Sequence, residues 1–168
     1  MTFATRRAWG PMPRYPNVIS ASSGNGNDLI VVVGPCSIEN EDQIRTIVEQ
    51  IADAGVTFMR GGVYRAGTYP PSSEAFGLQK ELMAIWWEVA KSKGLGIVVE
   101  ILDLRQIKFI DKYASAFQVG ARHMQDYALL AELSITEKPV FLKRSMGATL
   151  DEFLGAAEEL ARGSGKPI

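Results

Sequence analysis

The chain has 168 residues, 46% of them apolar and 22% charged, enough for one globular domain with a real core and too apolar for a disordered segment. Eighteen Lys and Arg against nineteen Asp and Glu leave a net charge of −1, which removes a bulk electrostatic drive toward nucleic acid or anionic membrane. No apolar run approaches the ~18–20 residues of a membrane span, and a single cysteine excludes an internal disulfide and fits a reducing, cytoplasmic setting.

Residues 1–28 are rich in Pro, Ser and Gly and read as an N-terminal extension, with one short β segment at Asn17–Ser20. Arg6, Arg7 and Arg14 precede the first acid, Asp28, as in a transit peptide, but Pro11, Pro13 and Pro16 break any amphipathic helix there. From residue 29 to 168 two textures alternate. Short apolar, β-branched runs fall at Leu29–Val33, Val56–Met59, Gly96–Glu100, Phe117–Val119 and Pro139–Leu142. Between them the apolar spacing is helical. Ile44, Ile47, Val48 and Ile51 form one face of a helix capped by Asn40. Leu78, Leu82, Ile85 and Val89 mark a second helix, Ile107, Phe109 and Ile110 a shorter third, and Met124 to Leu133 a fourth. Thr149-x-x-Glu152 is a capping box for a fifth, with Phe153, Ala156, Ala157 and Leu160 turned inward. The paired Trp86 and Trp87 lie in helical context and read as core or interface.

Five β-then-α units with strands apolar on both faces imply a parallel sheet covered by helices. Two α/β architectures satisfy that pattern: a doubly wound open sheet, or part of an eight-fold barrel. Periodicity does not choose between them.

Chemistry concentrates where the strands end. The runs close with Gly34-Pro35-Cys36-Ser37, Arg60-Gly61-Gly62, Glu100, Gly120-Ala121-Arg122 and Lys143-Arg144. Ligands in parallel α/β folds sit at the carboxyl ends of the strands, so Arg60, Arg122, Lys143 and Arg144 should converge on one rim. Arginine forks suit phosphate or carboxylate, lysine adds a point charge, and Glu100 would orient those cations or a water. The expected ligand is a small, multiply anionic metabolite. Cys36, in a Gly-Pro turn, is a candidate thiolate ligand or nucleophile, although a lone cysteine is more often a buried small hydrophobe. His123, the one histidine, reads as a hydrogen-bonded structural residue. No G-x-G-x-x-G, Walker A or H-E-x-x-H sequence occurs.

GPCSIE at 34–39, RGG at 60–62, VVEILD at 98–103, QVGARHMQ at 118–125 and VFLKRSMGATLDEFLGAAE at 140–158 resemble, in order, the motifs of 3-deoxy-D-arabino-heptulosonate 7-phosphate (DAHP) synthase, type I-beta branch. That resemblance implies a (β/α)8 TIM barrel, present here as about five βα units. It also implies the transferase reaction that condenses phosphoenolpyruvate with erythrose 4-phosphate at the start of the shikimate pathway of aromatic amino acid biosynthesis. Carried across by motif, Cys36 would ligate a divalent metal (Mn, Zn, Fe or Co), while Arg60, Glu100, Gly120, Ala121, Arg122, Lys143 and Arg144 would surround phosphoenolpyruvate. In the family that metal polarises the sugar-phosphate aldehyde.

The segment after RGG departs from the family's Lys-Pro-Arg-Thr-Ser-Pro and reads Arg65-Ala66-Gly67-Thr68-Tyr69-Pro70. Arg65 stands where the catalytic lysine would be and keeps its charge, but a guanidinium does not readily donate a proton. Thr68 retains the acceptor-binding threonine, Gly67 lacks an arginine, and Tyr69 adds bulk. His123 and Asp126 replace asparagines, and Ser145 replaces a glycine. The chain stops where the family's sixth strand begins, so the expectation is an incomplete metal cage and an inactive isolated chain. It would act within a homo-oligomer or beside a completing polypeptide. The alternatives are a non-catalytic anion-binding or assembly protein of the same descent, or a gene fragment.

Overall fold

The computed structural model describes residues 30–64 and 80–163. The expected extension at 1–28, its β segment at Asn17–Ser20, and the 65–70 segment all lie outside the described residues. Ten elements alternate strictly: β1 (Val32–Val33), α1 (Glu41–Asp53), β2 (Phe58–Gly61), α2 (Lys80–Ser92), β3 (Gly96–Ile101), α3 (Leu104–Ile110), β4 (Ala116–Val119), α4 (Tyr127–Ser134), β5 (Val140–Leu142) and α5 (Leu150–Ala161). All strand pairs are parallel, and the sheet order is β1-β2-β3-β4-β5, the order of the sequence.

That order decides between the two architectures. A doubly wound sheet reverses direction at a switch point and sends helices to both faces. Here the order never reverses, and buried residues of all five helices join the side chains of one sheet face in a single core. The arrangement is part of a (β/α) barrel. Ile44, Val48 and Ile51 of α1, Met83, Trp86 and Ala90 of α2, Ile107 and Ile110 of α3, Leu129 and Leu133 of α4, and Ala156 and Leu160 of α5 pack on Met59, Ile97, Val99, Ile101, Phe117 and Val119. Trp86 is fully buried, and its indole N–H reaches Met59 Sδ at 3.1 Å. Gly61 makes room for it, since a Cβ there would stand 3.2 Å from the indole and 2.9 Å from Ile38 Cδ1. Trp87 is half-buried, edge-on to Tyr113 with centroids 5.8 Å apart.

The ends of the helices follow local chemistry. Asn40 Oδ1 accepts from the Gln43 N–H at 2.8 Å while Gln43 Oε1 accepts from the Glu39 N–H at 2.8 Å, a reciprocal cap. The expected Thr149–Glu152 capping box is present in full. Asp103 caps α3, and its ion pair with Arg105 holds the carboxyl down to about 2 through side-chain and backbone hydrogen bonds. Hydrogen bonds from Thr149 lower Glu152 in the same way.

Three boundaries differ from the sequence reading by two residues or more. Within the described part of the run Leu29–Val33, residues 30–33, the strand is the two-residue β1, which pairs only where Phe58 and Met59 meet it. The second strand slides two residues later, to Phe58–Gly61, because the Val56 N–H still closes the turn after α1 by bonding Ile51 O. The fourth helix begins at Tyr127 rather than Met124. Asp126 accepts from the Leu129 N–H as N-cap, and residues Ala121–His123 before it form a single 3-10 turn.

Candidate functional site on the concave rim

Alternation along each strand sends every second residue to the face that carries no helices. The registers place Val32 beside Phe58 and Gly96, Arg60 beside Val98 and Ala116, and Glu100 beside Gln118 and Phe141. Val98 and Ala116, packed with Val32 and Phe58, form a small apolar floor. Above it, toward the carboxyl ends, the face turns polar with Arg60, Glu100 and Gln118. Lys143 continues the row: its backbone N–H bonds Val119 O at 3.1 Å, and it lies two residues beyond Phe141 on the same side.

The rim is drawn together by close backbone approaches. Gly34 has φ +151°, and a Cβ there would come 2.1 Å from Arg60 O, so only glycine lets β1 end against β2. The Ile38 N–H then bonds Gly62 O at 2.9 Å, which folds the Pro35–Ser37 turn over the end of β2. As a result Arg60 Nη2 donates to Cys36 Sγ at 3.0 Å. Glu100 is half-buried on β3 between two glycines. A Cβ on Gly62 would stand 3.7 Å from Glu100 Cβ, and one on Gly120 would stand 2.5 Å from Glu100 Oε1.

The sequence-identified residues therefore divide into groups. Cys36 and Arg60 are in direct contact, and Glu100 and Gly120 are adjacent. Ala121 and Arg122 open the 3-10 turn that follows β4. Lys143 and Arg144 follow β5, and one Arg144 nitrogen, Nη1, donates to Ala148 O across its own loop. Arg65 and Thr68 lie outside the described residues. Cys36 is exposed rather than a buried small hydrophobe, because the Gly34-Pro35 turn carries it past the end of the sheet. His123 makes backbone hydrogen bonds through its N–H and carbonyl, while its buried Nδ1 has no partner among the described residues.

Two residues of the rim escaped the sequence reading. Gln118 is a buried polar residue facing the concave side in register with Glu100. The signal was one amide inside the otherwise apolar run Ala116–Val119. Gly34 was read as part of a turn, whereas its role is the close approach to Arg60.

Among the described residues no group of three or more His, Cys, Asp or Glu side chains is placed to hold a metal ion. Cys36 offers one soft donor, and its described partner is a guanidinium, itself a cation. These residues alone do not fit a catalytic divalent metal, which takes three or more protein ligands. What they do fit is an anion, since Arg60, the Arg122 turn and Lys143 stand at the carboxyl ends of β2, β4 and β5 in one parallel sheet. No helix among the described residues is long and apolar enough to cross a membrane.

The chain resembles known proteins over most of its length. A family profile described as the DAHP synthetase I family matches residues 12–166. A phospho-2-dehydro-3-deoxyheptonate aldolase from Thermotoga maritima is 33% identical over 145 residues, covering 86% of this chain and 42% of the relative. The crystal structure of a Thermotoga maritima phospho-2-dehydro-3-deoxyheptonate aldolase (DAHP synthase) superposes with a TM-score of 0.71 at 32% identity, over 80% of this chain and 38% of that one. A truncated form of the synthase from the same organism gives a TM-score of 0.69 at 31% identity, over 82% and 48% of the two chains. The chain thus spans less than half the length of each of these relatives.

Proposed function

Because this chain belongs to the DAHP synthetase I family, we propose that its concave rim binds phosphoenolpyruvate and serves the condensation of that compound with erythrose 4-phosphate. One observation carries the reading. Arg60, Glu100, Gly120 and Lys143 occupy the carboxyl ends of four successive parallel strands, on or beside the face that none of the described helices covers. Such a rim supplies what a phosphorylated enol acid requires. A guanidinium grips phosphate or carboxylate through paired N–H groups, an ammonium adds charge, and the backbone at Gly120 approaches closely for want of a side chain. Arg122 lies within the same turn and extends the set.

For the reaction itself, Lys143 is the candidate group to hold or move a proton at its Nζ. Arg65 and Thr68 belong to the acceptor half of the site. In that reading Arg65 contributes charge to the sugar phosphate and not proton transfer. The family's divalent metal would take Cys36 as one ligand, and the other ligands would come from outside the described residues. Full turnover is proposed only where those further ligands are present.

Calorimetric titration of phosphoenolpyruvate into the 168-residue chain tests the binding half. Charge-assisted contacts to phosphate are worth roughly 1.5–3 kcal/mol each, so Arg60→Ala and Lys143→Ala should each weaken binding at least tenfold. Added salt should weaken it further. A folded chain that binds no phosphoenolpyruvate, or binds it equally well in both variants, would refute the site.

A further inference from the structure

We infer that Gly120 is a positioning residue for Glu100: the missing side chain at the end of β4 lets the Glu100 carboxylate lean across toward β4 and away from Arg60. Three observations carry this. Glu100 pairs in register with Gln118, so Gly120, two residues further along β4, lies on the same face one step nearer the rim. Glu100 Oε1 occupies the space a side chain at 120 would take, 2.5 Å from the Cβ position and well inside any van der Waals contact. On the other flank, a Cβ on Gly62 of the β2 end would meet Cys36 O at 3.4 Å and the Cβ at the base of Glu100 at 3.7 Å. The side chain therefore rises beside β2 and tips toward β4.

The direction of that tilt matters because Arg60 stands on β2, on the same face as Glu100 and one step below Gly62. Opposite charges on one face of neighbouring strands pair readily, and an Arg–carboxylate fork is among the stronger pairings. Among the described residues, however, Arg60 donates to Cys36 Sγ and forms no salt bridge with Glu100. The acid on the rim thus leaves the guanidinium to an incoming anion. A side chain at 120 would drive the carboxylate back toward β2, the strand that carries Arg60 on the same face. The internal ion pair would then compete with the ligand.

The geometry stands by itself, and only its consequence for binding rests on the anion reading of the rim. The experiment separates the two. Glu100→Gln assigns the Glu100 side-chain carboxyl resonance in the ¹³C spectrum of the full 168-residue chain, and that resonance is then compared in wild type and Gly120→Ala. Phosphoenolpyruvate affinity is measured by calorimetry in Gly120→Ala, Glu100→Ala and the double variant. The expected result is a displaced Glu100 resonance in Gly120→Ala and at least a fivefold loss of affinity. In the Glu100→Ala background the same glycine change should alter affinity less than twofold, because no carboxylate remains to be pushed. An unmoved resonance, or an equal loss of affinity in both backgrounds, would overturn the inference. If Gly120→Ala fails to fold, removal of the carboxylate in the double variant should restore folding, and an unfolded double variant would overturn it as well. Absence of phosphoenolpyruvate binding by wild type would defeat the anion reading, while the resonance would still decide where Gly120 places Glu100.

Discussion

The helix-covered face of the sheet and its concave face are built from alternate residues of the same strands, yet they do different physical work. On the covered face, Met59, Ile97, Val99, Phe117 and Val119 meet buried residues from all five helices, and the apolar contact is continuous from α1 to α5. On the concave face, Val98 and Ala116 with Val32 and Phe58 beside them form a smaller apolar cluster, and Arg60, Glu100 and Gln118, with the exposed Phe141, stand above it. Apolar packing is therefore concentrated on one side of the strands, and the charged residues proposed to bind ligand stand on the other. A substitution should report mainly on fold or mainly on function according to the parity of its position along the strand.

The strongest test of that division is Trp86→Ala. Removing a fully buried indole that touches Met59 should cost ~3–5 kcal/mol, read as a lower urea midpoint, and leave a small chain close to unfolding. A loss below ~1 kcal/mol would mean that the covered face is not the main core. Gly34→Ala comes next and strikes the concave rim. Its left-handed backbone and the 2.1 Å approach to Arg60 O forecast a cost of ~1–3 kcal/mol. This loss should be accompanied by weaker phosphoenolpyruvate binding, which Trp86→Ala should not cause in whatever fraction remains folded. If Gly34→Ala binds normally, the β1 turn does not set Arg60.

Smaller effects sharpen the comparison at the helix ends. Thr149→Ala removes the hydroxyl that accepts from the Glu152 N–H, one half of the α5 capping box, and leaves the backbone N–H at 149 to Glu152; it should lower stability by ~1 kcal/mol without changing anion affinity. Acid titration should show the Asp103 contribution. Its carboxyl is held down to about 2 from an ordinary 3.8 by Arg105, so the contribution is complete above pH 3.8 and is lost as pH falls toward 2. The group is largely solvated, so the effect is small. Comparison of urea midpoints at pH 5 and pH 2.5 should give a shallower pH dependence in Asp103→Asn than in wild type.

The smallest expected change in stability comes from the open edges. Phe141 on β5, and Ile30, Val31 and Val33 around β1, are each at least 37% exposed. Uncovered apolar edges favour association. Phe141→Ser should leave the urea midpoint within ~0.5 kcal/mol while moving the sedimentation profile toward smaller species. An unchanged profile would show that β5 is not the associating edge.

Much of this organisation was legible in the residues. The 3–4 spacing of Ile44, Val48 and Ile51, the caps at Asn40 and Thr149, and the apolar runs at Gly96–Glu100 and Phe117–Val119 reappear as elements with ends shifted by at most a few residues. These signals are local: a cap needs three neighbours, and an amphipathic face needs two turns. The list of rim residues was legible too, because each charge closes its own strand. Where strands begin was not, since the late start of β2 and the brevity of β1 depend on what the neighbouring chain offers as a hydrogen-bond partner.

The sequence by itself determined the alternation of strands and helices, the residues that face the core and the set of charges at the strand ends. Periodicity left a doubly wound sheet and a partial barrel open; the motif resemblance implied the barrel, and the strand order of the tertiary structure shows it, because strand order is a property of long-range pairing that no local period encodes. The tertiary structure alone decided that Cys36 meets Arg60 across 24 positions of chain, and that Glu100 leans over Gly120 rather than toward Arg60. Such choices are made by how closely two backbones approach, and a glycine in a sequence does not say which neighbour it admits.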